Sequence, residues 1–394
     1  MQLYEGLPIT TNKIPASNRK GIPHHLLGCV GLGQQPWTVR QYSRRAREVV
    51  DNIRSRNKLP IVVGGTSYYV QSLFAPDTLL HNSTSDSEPE LPSVTDSPIL
   101  CASTSEMYQQ LRILDPNTAS RLHPRDRRKI QRSLEVSLQK GRPASQIYAE
   151  QKAKLLRDLT SHNETIESRH FDDFLVFWTH ASALQLHPRL DQRVDAMVAQ
   201  GLLEEAESLH QFAQMRKAQG SKIDESHGIW TAIGYKELLP FITDPCQPKK
   251  VKVDCIERTK ISTRQYAKRQ NRWIRLKLLP TLFEAGHGNS TFLLEPFETS
   301  SLHGSVETLA VSITDSFLSR RDLPHPRSLS DLAADMLQPG ERLPPEARIC
   351  QLCEKTLMTQ EQWNGHLKSK GHRIALRPKV DWKALHPSQP HPAR

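Results

Sequence analysis

Cys350, Cys353, His366 and His372 follow the spacing C-x2-C-x12-H-x5-H. Two thiolates and two imidazoles in that order are the ligand set of a tetrahedral Zn²⁺ site. The cysteine pair fits a tight turn. Trp363, His366 and Leu367 fall at helical spacing, so one helix can offer His366 to the metal and apolar side chains to a small core. A segment this short buries too little surface to fold alone, so Zn²⁺ is expected as a structural ion that supplies the folding energy. The bland alternative, an unstructured tail, needs four ligands to fit one pattern by chance. From Glu341 to Arg394 there are ten Lys/Arg against five Asp/Glu. That balance suits a nucleic-acid partner, with a protein-binding finger as the competing reading.

A second constellation is the run from Arg264 to Lys277, RQYAKRQNRWIRLK, with six basic residues and no acid. Drawn as a helix at 100° per residue, Arg264, Lys268, Arg272 and Arg275 lie within about 80° of one another. Tyr266 and Trp273 fall on the opposite side. The expectation is an aromatic side on the core and a basic stripe facing phosphates. A solvated charged face is the usual reading of such a run, but the lack of any compensating acid favours phosphate or RNA.

Two weaker signals concern a small anionic ligand. Gly64-Gly65-Thr66 closes the apolar run Leu59-Pro60-Ile61-Val62-Val63. In α/β folds ligands sit at the carboxyl ends of strands, beside helix N-termini that favour anions. Glycines admit a ligand to the backbone, and the Thr66 hydroxyl can hold a polar group. Neither GxGxxG nor GxxxxGK[ST] occurs in the chain. In Arg189-Leu190-Asp191-Gln192-Arg193-Val194-Asp195, two arginines four apart suit a pyrophosphate clamp, while intrahelical Arg–Asp pairs are the bland reading.

The elements that must position these groups follow from periodicity. Residues 38–56 read as an amphipathic helix, 59–63 as a strand and 67–73 as the start of another helix, which together indicate an α/β unit with a parallel sheet. Residues 81–98 are rich in Ser, Asp, Pro and Glu and read as a disordered insertion. Residues 105–155 are helical and basic, with eight Lys/Arg and two acids between Arg121 and Arg142. Phe174 to Trp178 reads as a buried strand, 188–215 as a helix pair, 254–279 as a helix, and 320–345 as a Pro-rich linker. The domains are therefore expected at 1–80 (α/β core, first part), 81–99 (acidic insertion), 100–160 (helical insertion), 161–300 (core, second part), 301–340 (linker) and 341–394 (finger). The formal charge of +11 and a pI near 9.4 point to a polyanionic partner. Six cysteines are few; two belong to the finger, and Cys29, Cys101, Cys246 and Cys255 are scattered, which fits a reducing compartment. No apolar run approaches a membrane span, and the N-terminus has no signal-peptide core. A soluble monomer, cytoplasmic or in mitochondria or the nucleus, is expected, with no membrane partner.

Six ordered segments resemble one family, the tRNA dimethylallyltransferases (tRNA isopentenyltransferases). They are Met1-Gln2-Leu3-Tyr4-x-Gly6-Leu7-x-Ile9-x-Thr11-Asn12-Lys13, Gly21-Ile22-Pro23-His24-His25-Leu26, Leu59 to Tyr69, Arg189 to Asp195, Gly228-Ile229-Trp230-x-x-Ile233-Gly234-Tyr235-Lys236 and Thr263 to Gln270. The finger is similar to that of eukaryotic members, and the acidic insertion suggests a eukaryotic, fungal-type sequence. The resemblance implies an α/β, P-loop-NTPase-like parallel-sheet core with a helical insertion and a C2H2-type zinc finger. It implies transfer of a dimethylallyl group from dimethylallyl diphosphate, accompanied by Mg²⁺, to N6 of adenosine 37 in the tRNA anticodon stem-loop. A non-catalytic RNA-binding zinc-finger protein is the alternative. By carry-over, Thr66 contacts the flipped nucleotide and Arg193 clamps the pyrophosphate. Gln2, Arg128, Lys129, Arg132, Gly234, Tyr235, Lys236, Arg264, Lys268, Arg269, Gln270, Arg272 and Arg275 contact tRNA.

The resemblance also shows a departure. In the family an Asp-Ser pair, whose Asp is the general base, directly precedes the segment that starts here at Met1, and the phosphate loop lies further upstream. Two explanations compete, a truncated reading frame and a genuine short product; truncation is the expected one, and residues 1–394 by themselves are expected to transfer little or no prenyl group.

Overall fold

The computed structural model describes residues 1–74, 97–150, 153, 174–221, 223–244, 248–295, 306–338 and 347–376. The expected acidic insertion lies outside them up to residue 96, as do the polar break at 160–170 and the chain beyond residue 376. In chain order the principal elements are α1 (Val39–Ser55), α2 (Ser67–Phe74), α3 (Thr104–Leu114), α4 (Arg127–Lys140), β1 (Val176–Thr179), α5 (Ala183–Ala199), α6 (Leu202–Ala218), α7 (Lys249–Trp273), a π-helical turn (Ile274–Leu278), α8 (Leu279–Glu284), β2 (Thr291–Leu294), α9 (Val306–Leu318), α10 (Asp331–Met336), β3 (Arg348–Cys350), β4 (Lys355–Leu357), α11 (Gln360–Leu367) and α12 (Lys370–Ala375). They fall into two compact units, one of residues 1–82 and 162–341, the other of 83–161 and 342–394. Among the described residues no helix is long and apolar enough to cross a membrane.

In the first unit, α1 starts at Thr38, whose side chain accepts from Gln41 N while the Gln41 side chain returns to the Thr38 backbone. This reciprocal cap satisfies two amides that the helix cannot. Ala46 and Val50 are buried. α1 holds α2 through Tyr42 against Tyr69, ring centroids 4.8 Å apart, and through Ser43 Oγ donating to Ser72 O at 3.2 Å. The helix pair α5–α6 turns on Gly201, whose φ of +105° a residue with a Cβ adopts only with strain. Leu202, Ala206, Leu209 and Ala213 on α6 are buried with Tyr4, Leu7, Val30, Ile229, Trp230 and Leu238. Glu205, also on α6, accepts from Ile9 N at 3.0 Å and Thr10 N at 2.5 Å, which ties the N-terminal loop to this core.

The parallel sheet is small. β1 pairs with β2 in parallel, Val176 opposite Thr291 through Thr179 opposite Leu294, and a single parallel bridge joins Tyr4 and Val30. β2 is buried along its whole length. The strand expected at 59–63 does not form: the segment has no ladder partner among the described residues, and Ile61 and Val63 are 76% and 87% exposed. An apolar run specifies burial, but a parallel strand also needs a neighbour for its N–H and C=O groups.

The segment expected as a linker also differs. α9 forms at 306–318, and α10 packs Ala333 and Met336, with Leu337, against Trp178, Leu279 and Leu293. Ser330 caps α10 by accepting from Ala333 N. The prolines punctuate short elements here; they do not keep the segment extended.

In the second unit, the helical insertion buries Leu100, Met107, Leu111, Ala119, Ile130 and Leu134. Asp115, 1% exposed, accepts from Thr118 N and Ser145 N. Burial would raise its pKa, but those hydrogen bonds outweigh it and hold the carboxyl below its ordinary value. The finger is a β3–β4 hairpin followed by α11 and α12.

Candidate functional site

The Gly64-Gly65-Thr66 turn precedes α2. Thr66 O accepts from Tyr69 N and Val70 N, which makes Thr66 the entry residue of the helix. Its side chain is exposed and makes no hydrogen bond among the described residues, so the hydroxyl faces solvent and can meet a ligand. The turn rests on α7: Gln270 Nε2 donates to Gly65 O at 2.5 Å. Further along, Tyr68 meets the edge of Trp273 at 5.9 Å, and Gln71 Nε2 donates to Thr281 Oγ1 at 3.3 Å. Two motifs separated by about two hundred residues thus form one surface.

α7 is 25 residues long. Its N-terminal half is packed, with Cys255 and Thr259 buried. The expected basic stripe is only partly free. Arg264 is half-buried and pairs with Asp191 of α5. One turn earlier, Lys260 Nζ lies 2.8 Å from Asp195. Lys268, Arg269, Arg272 and Arg275 are exposed. Lys268, Arg269 and Arg275 pair with no carboxylate among the described residues, and the Arg269 guanidinium lies 5.9 Å from the Tyr266 ring centroid. Tyr266 is exposed, against the expectation of a core-facing aromatic side; Trp273 alone turns inward. The helical register also changes at Ile274, where the π turn begins. Pro280 has no N–H to give to the carbonyl four residues back, and its ring crowds that carbonyl, so the turn widens. Arg275 and Lys277 therefore leave the 100° register on which the stripe was drawn.

The partners of Asp191 and Asp195 decide the reading of Arg189–Asp195. Both acids reach across to α7, and no intrahelical pair with Arg189 or Arg193 forms among the described residues. Both arginines are exposed residues on one helix face. Local desolvation lowers the pKa of Arg193 from the usual arginine value, and the group stays cationic.

The remaining site residues are placed as follows. Gln2 Nε2 donates to Asn12 O at 2.7 Å. Lys129 pairs with Asp126, the cap of α4, and Arg132 with Glu135, both at 2.8 Å, while Arg128 is exposed. Gly234 has φ +98° and its N–H donates to Glu237 Oε2 at 3.0 Å. Lys236 is exposed. Tyr235 is 2% exposed beside Trp230, and burial, aided by Glu225, pushes its phenol up to about 12. Its ring is therefore part of the core, Gly234 is buried as well, and what this motif can show a ligand is Lys236. Residues whose anchoring role the sequence did not disclose are Glu205 and Thr281, because each acts on chain far from itself.

In the finger the ligand atoms of Cys350, Cys353, His366 and His372 lie within 4.8 Å of one another. His372 Nδ1 is 3.6 Å from Cys350 Sγ and 3.4 Å from Cys353 Sγ. Tetrahedral bonds of ordinary Zn–S and Zn–N length place such atoms about 3.6 Å apart. His366 Nε2 is buried without a hydrogen-bond partner, as a nitrogen reserved for a metal is. The set fits Zn²⁺. The helix expected to carry His366 ends at Leu367, and Ser369 caps a second helix that carries the buried His372. Leu367 is exposed, so Trp363 is left as the half-buried member of the expected pair.

Residues 2–277 match the family model described as IPP transferase. The chain belongs to the IPP transferase family. Its similarity to tRNA dimethylallyltransferase of Schizosaccharomyces pombe is 36% identity over 97% of this chain and 88% of that protein, and to the Saccharomyces cerevisiae protein 32% over 96% and 84%. The crystallographic structure of a eukaryotic dimethylallyltransferase acting on tRNA superposes with a TM-score of 0.73 at 30% identity, covering 95% of this chain and 88% of that one. Residues 348–373 match a zinc-finger model described as double-stranded RNA-binding. This IPP transferase chain therefore joins the mixed helical and parallel-sheet core to a C2H2-like finger.

Proposed function

We propose that this protein transfers a dimethylallyl group from dimethylallyl diphosphate to N6 of adenosine 37 in the tRNA anticodon stem-loop. The observation that carries this reading is the contact between Gly65 and Gln270. It places a solvent-facing hydroxyl, Thr66, beside a helix face bearing Lys268, Arg269 and Arg272. A polyanion held on that face presents its bases to a group that can hold one of them.

The residues of this chain then divide the work. Exposed cations of α7, with Arg128 of the insertion and the finger, bind the stem-loop through its phosphates. Adenosine 37 leaves its stack to be modified, and Thr66 holds it. Carbon 1 of the dimethylallyl group forms its bond to N6 as the bond to the diphosphate oxygen breaks. N6 gives its proton to a general base, and pyrophosphate leaves with the electron pair of the broken carbon–oxygen bond. Arg193, with Arg189 one turn away, stabilises the charge that gathers on the departing oxygens. Mg²⁺ bound with the diphosphate would share that charge. The protein acts as a monomer.

Incubation of the protein expressed from its complete reading frame with tRNA, dimethylallyl diphosphate and Mg²⁺, followed by nucleoside mass spectrometry, tests the reading. A dimethylallyl group on adenosine 37 is the expected product. Unmodified tRNA, bound with the same affinity with and without the diphosphate, favours the non-catalytic RNA-binding alternative.

A further inference from the structure

α2 lies along α7 and α8 through three contacts in series: Gly65 with Gln270, Tyr68 with Trp273 and Gln71 with Thr281. On the α2 side they are spaced three residues apart, so they follow one face. The first is the tightest. A Cβ at Gly65 would collide with Gln270 Nε2. Gly65 is not in the left-handed region, so a side chain here would meet no backbone strain and would act by displacing the Gln270 amide.

Within the reading of the preceding section, we infer that Gln270 is a positioning residue for Thr66. Its amide donates to the Gly65 carbonyl and fixes the height of the turn above α7, while its neighbours Lys268 and Arg272 face solvent. One helix thereby carries the RNA-binding cations and the support of the residue that meets the flipped base. Affinity and base placement are separable on it. Phosphate contacts set the first, and Gln270 sets the second.

Gln270→Met is the discriminating change. It keeps the length of the side chain, adds no charge to the basic face and removes the donor to the Gly65 carbonyl. Gly65→Ala disturbs the same contact from the other side. The test uses the full chain and an anticodon stem-loop with 2-aminopurine at position 37, whose fluorescence rises when the base unstacks. Affinity is read separately by anisotropy. The wild type is expected to bind with a fluorescence rise. Gln270→Met and Gly65→Ala are expected to keep the affinity and to reduce the unstacked population about fivefold, the scale of one lost hydrogen bond. Lys268→Ala is expected to do the reverse, with weaker binding and a full rise at saturation. Gln270→Met behaving like Lys268→Ala would make Gln270 an RNA contact and overturn the inference, as would a full rise with unchanged affinity in both Gln270→Met and Gly65→Ala. A wild type that binds no stem-loop overturns the proposed function itself, a result distinct from either.

Discussion

Asp191 of α5 takes Arg264 of α7 as its ion-pair partner, and this pairing reassigns two motifs at once. It withdraws Arg264 from the RNA-facing set and withdraws Asp191 from Arg189 and Arg193. Both side chains are about one-third exposed or less, so the pair is partly shielded from solvent. Arg264→Ala is expected to cost about 1–3 kcal/mol of stability, because it leaves a half-buried carboxylate without its donor. Asp191→Ala combined with Arg264→Ala should cost less than the sum of the two. Urea titrations of the four proteins measure this, and strict additivity would contradict the pairing.

Salt dependence separates structural from phosphate-binding cations on α7 and the π turn that follows it. Lys268→Ala and Arg275→Ala are each expected to reduce the slope of log affinity against log salt by about 1. Arg264→Ala should leave the slope unchanged. Equal slopes for all variants would remove the helix face from the RNA interface.

Arg193 tests the diphosphate end. Its exchange for alanine should weaken pyrophosphate binding about tenfold or more with tRNA affinity intact, and lysine should restore only part, since a point charge does not replace a two-pronged donor. Isothermal titration with pyrophosphate and Mg²⁺ reads this directly.

The core motifs were legible in the sequence because periodicity and glycine placement act locally. α1, α2, the α5–α6 pair, β1 and the long α7 follow from the spacing of residues such as Ala46, Val50, Leu202 and Leu209. What the spacing did not disclose was partnership. Val63 belongs to an apolar run that finds no ladder, Arg264 belongs to a basic run yet pairs inward, and Ala333 lies in a proline-rich stretch yet joins a core. Arg264 finds its partner 73 residues away, and Ala333 packs with Trp178, both far outside any local window. The π turn was likewise invisible to a drawing at constant 100° per residue, although Pro280 marks its cause. In the finger the four ligands were legible in full, since their spacing is the site.

Zinc should act on the finger alone. Chelation, or Cys353→Ser, is expected to abolish the Co²⁺–thiolate absorption of a cobalt-loaded sample and to increase amide exchange over residues 348–373, with exchange in α5–α7 unchanged. Loss of protection throughout the chain would contradict a local structural metal.

Tyr235 predicts an alkaline transition. Its pKa rises from an ordinary 10.0 to about 12 in the folded chain because burial disfavours the phenolate. The folded state thus holds the proton more tightly, so the contribution is complete below pH 10 and is lost between pH 10 and 12. Tyr235→Phe should flatten that part of the stability–pH curve relative to the wild type, as thermal melts across the range would show.

The central claim is that the base at position 37 of a bound anticodon stem-loop comes to the Gly64–Thr66 turn on the basic helix. A photoreactive purine at position 37, crosslinked in the complex and mapped by peptide mass spectrometry, tests it most directly. The account predicts attachment within the peptide that contains Thr66, lost with Lys268→Ala only through weaker binding. Attachment confined to the finger, or spread without preference over the basic surface, would contradict it.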